Sequence, residues 1–235
     1  RNVTLSLSKV MNKEKTALII LHQRRSSIGD VGFKLKQRGY KIDVRKPTLG
    51  EKLPNNMDRH DVAIIYGGPM SANDNNAAIK YETEWISTAL ESKKPFLGIC
   101  LGAQMLANNL GGTVQRAADR SHEIGFFKLI PNLDGLKIFQ QQKTFFQWHN
   151  EGFTVPNSCE VLAYGSKFHQ QAFRHQNAYG IQFHPEVNLK MHLAWLYFAA
   201  YKLKEPGAQN RIKQLNSRIK HGKKINLWLD HFLDN

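Results

Sequence analysis

The sequence of 235 residues predicts an α/β fold, a three-layer α/β/α arrangement with a central mostly parallel sheet, a nucleophile elbow and C-terminal helices. Three observations predict it. Short apolar runs alternate with helical patterns from residue 16 to the glycines at 111 and 112, the mark of a parallel sheet covered on both faces. Two of those runs stop at glycine-rich turns, Gly67-Gly68-Pro69 and Gly98-Ile99-Cys100-Leu101-Gly102, and such sheets carry their sites at the carboxyl ends of strands. After Pro185 the pattern is helical again.

The elements follow in order. Thr16 to Leu21 is a short apolar run, read as a buried strand. Residues 29 to 39 space Val31, Phe33 and Leu35 and stop at Gly39, which suits a helix. Strands are expected at 41–45 and 61–66, the second running into Gly67-Gly68-Pro69. A helix over 77–91 presents Ile79, Trp85, Ile86 and Leu90 on one side. The elbow strand covers 95–99, and a helical pattern from Ala103 closes at Gly111-Gly112. Shorter strands follow at 113–116, 124–130, 143–148, 160–164, 170–174 and 178–183, a mixed or partly antiparallel continuation of the same domain. Met191 to Ala199 forms an apolar helical band, broken at Glu205-Pro206-Gly207. Two helical pieces are expected beyond it, 208–220 and 224–233. The organisation predicted is an N-terminal extension, 1–15, and one domain, 16–235, with 203–235 as an appended helical segment.

Composition narrows the function classes. Lys and Arg number 33 against 19 acids, a formal charge of +14. No zinc-finger spacing or aromatic RNA-binding signature accompanies it, so a solvated basic surface is expected and no specific nucleic acid. Lys202 to Lys224 holds eight basic residues and one acid, a docking surface for an acidic partner or a solvated helix face. No apolar run approaches the roughly 20 residues of a membrane span. Two cysteines, Cys100 and Cys159, make no disulfide scaffold and suggest a reducing, cytoplasmic setting. Residues 1 to 16 lack an apolar core segment, so no secretory leader is expected, and Met11 is a candidate start. No Cys/His cluster has zinc spacing and no phosphate-binding G-x-x-x-x-G-K-[ST] loop is present, so no metal, cofactor or synthetase chemistry is expected in this chain.

The chemistry converges on Cys100. Glycines two residues to either side permit a sharp strand-to-helix turn that lifts the side chain above the sheet. The tip of the turn sits at a helix N-terminus, whose partial positive charge favours a thiolate. The Leu101 N–H is then free to face a developing oxyanion. A buried structural cysteine between helix-packing glycines is the competing reading of this stretch. His184 ends the apolar strand Tyr179-Gly180-Ile181-Gln182-Phe183 and can overlook the elbow as a base. Glu186 can lie on the same side of an extended backbone and orient the imidazole, with Pro185 fixing the spacing. Pro69 has no N–H, which leaves Gly68 as the second oxyanion donor.

Gly98-Ile99-Cys100-Leu101-Gly102-Ala103-Gln104, Gly67-Gly68-Pro69 and His184-Pro185-Glu186 together resemble the class I (triad) glutamine amidotransferases over about residues 16–203. Met70-Ser71-Ala72-Asn73-Asp74, Glu123-Ile124-Gly125 and Trp148-His149-Asn150-Glu151-Gly152-Phe153 are similar to stand-alone proteins related to the amidotransferase domain of GMP synthetase. The resemblance implies that Cys100 attacks the side-chain amide of L-glutamine, His184 shuttles the proton and Glu186 orients His184. It implies oxyanion donors at Gly68 and Leu101 and substrate contacts at Gly67 and Gln104. Backbone near His149, Asn150, Gly152 and Phe153 would hold the α-amino and carboxylate groups, and Glu123 either binds the α-amino group or caps a strand. Glu151 stands where that branch shows aspartate. The products implied are glutamate and ammonia through a γ-glutamyl thioester, with a synthetase on a partner chain as ammonia acceptor. The alternative is a stand-alone hydrolase of γ-glutamyl peptides using the same residues.

Overall fold

The computed structural model describes residues 14–235. The predicted N-terminal extension up to residue 13, with Met11, lies outside the described residues. The first half is a run of β-α units: β1 (Thr16–Ile20), α1 (Gly29–Gln37), β2 (Lys41–Arg45), β3 (Val62–Ile65), α2 (Ala77–Glu91), β4 (Phe96–Ile99) and α3 (Leu101–Asn109). The second half is strand-rich: β5 (Thr113–Arg116), β6 (Glu123–Lys128), β7 (Ile130–Pro131), α4 (Leu133–Phe139), β8 (Thr144–His149), β9 (Glu151–Thr154), β10 (Glu160–Tyr164), β11 (Gln170–His175) and β12 (Ala178–Ile181). α5 (Leu189–Phe198) and α6 (Arg211–Asp234) follow.

The central sheet runs β2-β1-β3-β4-β12-β11-β10-β7. Its β2 to β12 section is wholly parallel, and it turns antiparallel from β12 onward. β6 and β8 form a separate antiparallel pair. The strand period of two explains the layers. In β1, Ala17 and Ile19 enter the core shared with α1 and α6, while Leu18 and Ile20 enter the core shared with α2 and α3. Asparagine side chains cap α2, α4, α5 and α6, accepting N–H groups from the first turn of each helix.

Four local expectations are corrected. The strand predicted over 124–130 divides into β6 and β7, and β12 stops at Ile181. Neither α4 nor β9 was expected. α6 is one helix of 24 residues instead of two pieces. Gly222 costs such a helix about 1 kcal/mol. The buried face of Gln214, Arg218, Ile225, Trp228 and Leu229 runs past it and outweighs that cost. Trp228 stacks on Phe139 with ring centroids 5.8 Å apart and meets Phe145 edge-on at 4.7 Å. Among the described residues, no helix is long and apolar enough to cross a membrane.

Candidate active site

The elbow is built from the β4–α3 junction. Cys100 has φ 51° and ψ −105°, a backbone conformation that costs energy for a residue with a Cβ. The flanking glycines permit it by close approach. A Cβ on Gly98 would come within 2.5 Å of the Gly102 carbonyl oxygen, and one on Gly102 within 2.1 Å of the Ile65 oxygen. The Cys100 N–H donates to the Ile181 carbonyl at 2.8 Å, which ties the elbow to β12. The helix begins at Leu101, so the cysteine occupies the N-cap position of α3.

His184 follows β12, and its N–H donates to the Phe146 carbonyl of β8 at 2.8 Å. Its Nδ1 lies 2.7 Å from Glu186 Oε1, with both side chains buried. The Asp30 N–H donates to the Glu186 carbonyl at 2.9 Å and fixes the chain beyond the ring. Trp195 meets the imidazole edge-on at 5.3 Å. A Cβ on Gly67 would lie 2.7 Å from His184 Cε1 and 3.4 Å from Cys100 Cβ, so turn, ring and cysteine meet at one point. Burial lowers the His184 pKa, but the Glu186 carboxylate and then Cys100 outweigh it and raise the group to about 10. Nε2 of His184 makes no hydrogen bond of full geometry, although Cys100 lies near enough to shift the ring. Contacts of this kind are often loose before substrate arrives.

The Gly67-Gly68 turn lies against the elbow, since a Cβ on Gly68 would meet Leu101 Cδ2 at 3.0 Å. Gln104, buried on α3, donates through Nε2 to the Glu151 carbonyl at 2.9 Å and reaches Gln182 Oε1 at 3.3 Å. Gln182 in turn donates to Cys100 Sγ at 3.5 Å. Sequence reasoning quoted Gln182 only as part of a strand. The signal for it was a polar residue in an apolar run, two positions before His184.

Glu123 and His149 face each other across the β6–β8 pair, with His149 Nε2 3.1 Å from Glu123 Oε2. His149 Nδ1 donates to the Glu151 carbonyl at 2.9 Å, and Gln171 donates to Glu123 at 2.8 Å. The Glu151 carbonyl thus joins the elbow helix to this polar group, while its carboxylate lies 3.8 Å from Arg116. Asn150 is the half-buried residue between β8 and β9. Gly152 packs on Phe168, and the Phe153 ring packs on Phe173 at 5.0 Å in the α2–α3 core. The side chain of Phe153 is therefore structural, and only backbone from that segment remains for a ligand. Cys159 lies before β10, with Sγ 3.9 Å from His175 Nδ1 and no link to the elbow.

Known proteins share this architecture. The sequence model of the family "Glutamine amidotransferase class-I" matches residues 30–202. A glutamine amidotransferase-like protein of Salmonella typhimurium, YfeJ, is 28% identical over 182 residues, 73% of this chain and 75% of its own length. The glutamine-hydrolysing subunit of GMP synthase from Methanococcus vannielii is 33% identical over 191 residues, 74% of this chain and 90% of its own. The crystal structure of a glutamine amidotransferase from Thermotoga maritima superposes with a TM-score of 0.85 at 27% identity, over 94% of this chain and 97% of that one. With the cysteine elbow, the His184–Glu186 pair and a family match over most of its length, the chain belongs to the class I glutamine amidotransferases.

Proposed function

We propose that this protein hydrolyses the side-chain amide of L-glutamine, with Cys100 as nucleophile, His184 as proton carrier and Glu186 as orienter. The observation that supports it most directly is the convergence of Cys100, His184 and Gly67 at one point, with Glu186 2.7 Å behind the ring. In the first half-reaction the Cys100 sulfur forms a bond to the amide carbon. The carbon–nitrogen bond then breaks, and the proton held by His184 leaves with the nitrogen as ammonia. In the second, water attacks the thioester, His184 takes its proton, the carbon–sulfur bond breaks and glutamate departs. The N–H groups of Gly68 and Leu101 receive the negative charge that develops on oxygen. Gln104 and the backbone around His149 hold the amino-acid end of the substrate. The ammonia is passed to a synthetase on another chain, by analogy with the glutamine-hydrolysing GMP synthase relative.

The test is a steady-state assay of purified protein on glutamine and on a panel of γ-glutamyl dipeptides, with ammonia and glutamate both measured. Equimolar ammonia and glutamate from glutamine, lost in Cys100→Ala, supports the reading. Faster turnover of the dipeptides, without ammonia, replaces it with peptide hydrolysis by the same residues.

A further inference from the structure

His22 stands just past β1 and takes no part in the chemistry above. Its side chain is fully buried, as is that of Glu82 from α2. Nδ1 of His22 lies 3.1 Å from the Gly67 carbonyl oxygen, and Nε2 lies 2.8 Å from Glu82 Oε2. A carbonyl oxygen only accepts, so Nδ1 carries a proton, and a second proton lies between Nε2 and Glu82. The contact with the turn is close. A Cβ on Gly68 would come within 2.9 Å of His22 Cγ on one side and 3.0 Å of Leu101 Cδ2 on the other. The turn is therefore clamped between the His22 ring and the elbow.

The clamp sets an orientation. The peptide joining Gly67 to Gly68 is trans, so its C=O and its N–H point in opposite directions. Holding the Gly67 oxygen against His22 turns the Gly68 N–H away from that ring, toward the elbow side. That N–H has no backbone acceptor among the described residues. Rotation of this one peptide unit would remove the donor, and it would also leave a buried imidazole N–H without a partner.

We propose that His22, held by Glu82, is a positioning residue that locks the Gly67–Gly68 peptide with its N–H directed at the developing oxyanion, so that amide hydrolysis requires no partner chain. This rests on the amidohydrolase reading above and adds how the site is regulated. The lock is internal, made by β1 and α2, elements that belong to the rigid sheet layer.

The experiment compares wild type, His22→Ala, His22→Asn and Glu82→Gln in three measurements on the protein alone. These are glutamine turnover, alkylation of Cys100 by iodoacetamide, and labelling of Cys100 by 6-diazo-5-oxo-L-norleucine. Alkylation by iodoacetamide forms no oxyanion, so it reads the thiol and His184 without the turn. Wild type is expected to turn over unaided. His22→Ala is expected to lose about 10²-fold in kcat, with KM within about threefold and the iodoacetamide rate unchanged, as for a lost oxyanion donor. His22→Asn, which can still donate to the Gly67 oxygen, is expected to recover most of the loss. Unchanged kcat in His22→Ala overturns the lock. A wild type inert on glutamine but labelled at Cys100 by the diazo analogue also overturns it, and leaves the amidohydrolase reading standing. A wild type neither active nor labelled overturns both. If His22→Ala fails to fold, Glu82→Gln carries the same test, and a loss in KM instead of kcat counts against the proposal.

Discussion

Two buried histidines, His184 and His192, sit on either side of Phe146, with ring centroids 6.4 Å and 4.6 Å from it. Burial lowers the pKa of both. His184 nevertheless ends at about 10, because the Glu186 carboxylate and Cys100 outweigh burial. His192 falls to about 4, because burial dominates and the Arg218 charge adds to it, with only the Gln214 amide opposing. The hydrogen bonds match a neutral ring. Nε2 faces Gln214 Oε1 at 3.1 Å, and Nδ1 accepts from Arg218 Nε at 3.3 Å. Equal depth therefore gives opposite protonation, and the partner decides. One histidine is equipped to carry a proton, and the other is a fixed strut between α5 and α6.

The comparison can be broken at several points, in decreasing order of effect. Removing the proton carrier comes first. His184→Ala is expected to lower glutamine turnover by at least about 10⁴-fold, whereas His192→Gln leaves it within about threefold, both read in the ammonia assay. Comparable losses in the two variants would erase the distinction. Glu186→Gln gives His184 an amide partner like that of His192. Turnover is expected to fall by about 10²- to 10³-fold, and the His184 ring, followed by NMR titration, to titrate well below its wild-type value. The converse exchange, Gln214→Glu, is expected to raise the His192 titration by at least about one unit while turnover holds within about twofold.

Stability against pH sharpens the contrast further, because the two signs oppose. The His184 pKa is raised, so its contribution is complete below about 6.5, the ordinary value, and is lost as pH rises through about 10. The His192 pKa is lowered, so its contribution is complete above about 6.5 and is lost as pH falls through about 4. In thermal melts, the advantage of wild type over His184→Gln is expected to shrink between pH 7 and 10. Its advantage over His192→Gln is expected to shrink between pH 6 and 4. Parallel curves would show that the protonation assignments are wrong. Cys159→Ser closes the series, with turnover expected within about twofold of wild type.

The elbow side was legible in the sequence because its constraints are local. Cys100 between Gly98 and Gly102, and His184 two residues before Glu186, write their geometry into adjacent positions. The β-α order of the first half followed from apolar runs for the same reason. What escaped was made by distant pairing. Gln182 approaches Cys100 only because β12 lies beside β4. The His22–Glu82 pair depends on α2 packing over the end of β1. The unity of α6 depends on Trp228 finding Phe139 and Phe145, which no helical propensity records. Gly222 reads as a break wherever propensity is the only guide.

The last helix also binds the first one. Lys34 and Arg38 of α1 pair with Asp230 and Asp234 of α6, partners separated by 196 positions. Until residues past Trp228 have left the ribosome, the aromatic pocket of Phe139, Phe145 and Phe183 has no cover. A nascent chain shorter than that exposes sticky surface to its neighbours in the polysome, which makes it a client for chaperones during translation. Emergence of α6 is therefore the moment at which this protein becomes safe from aggregation.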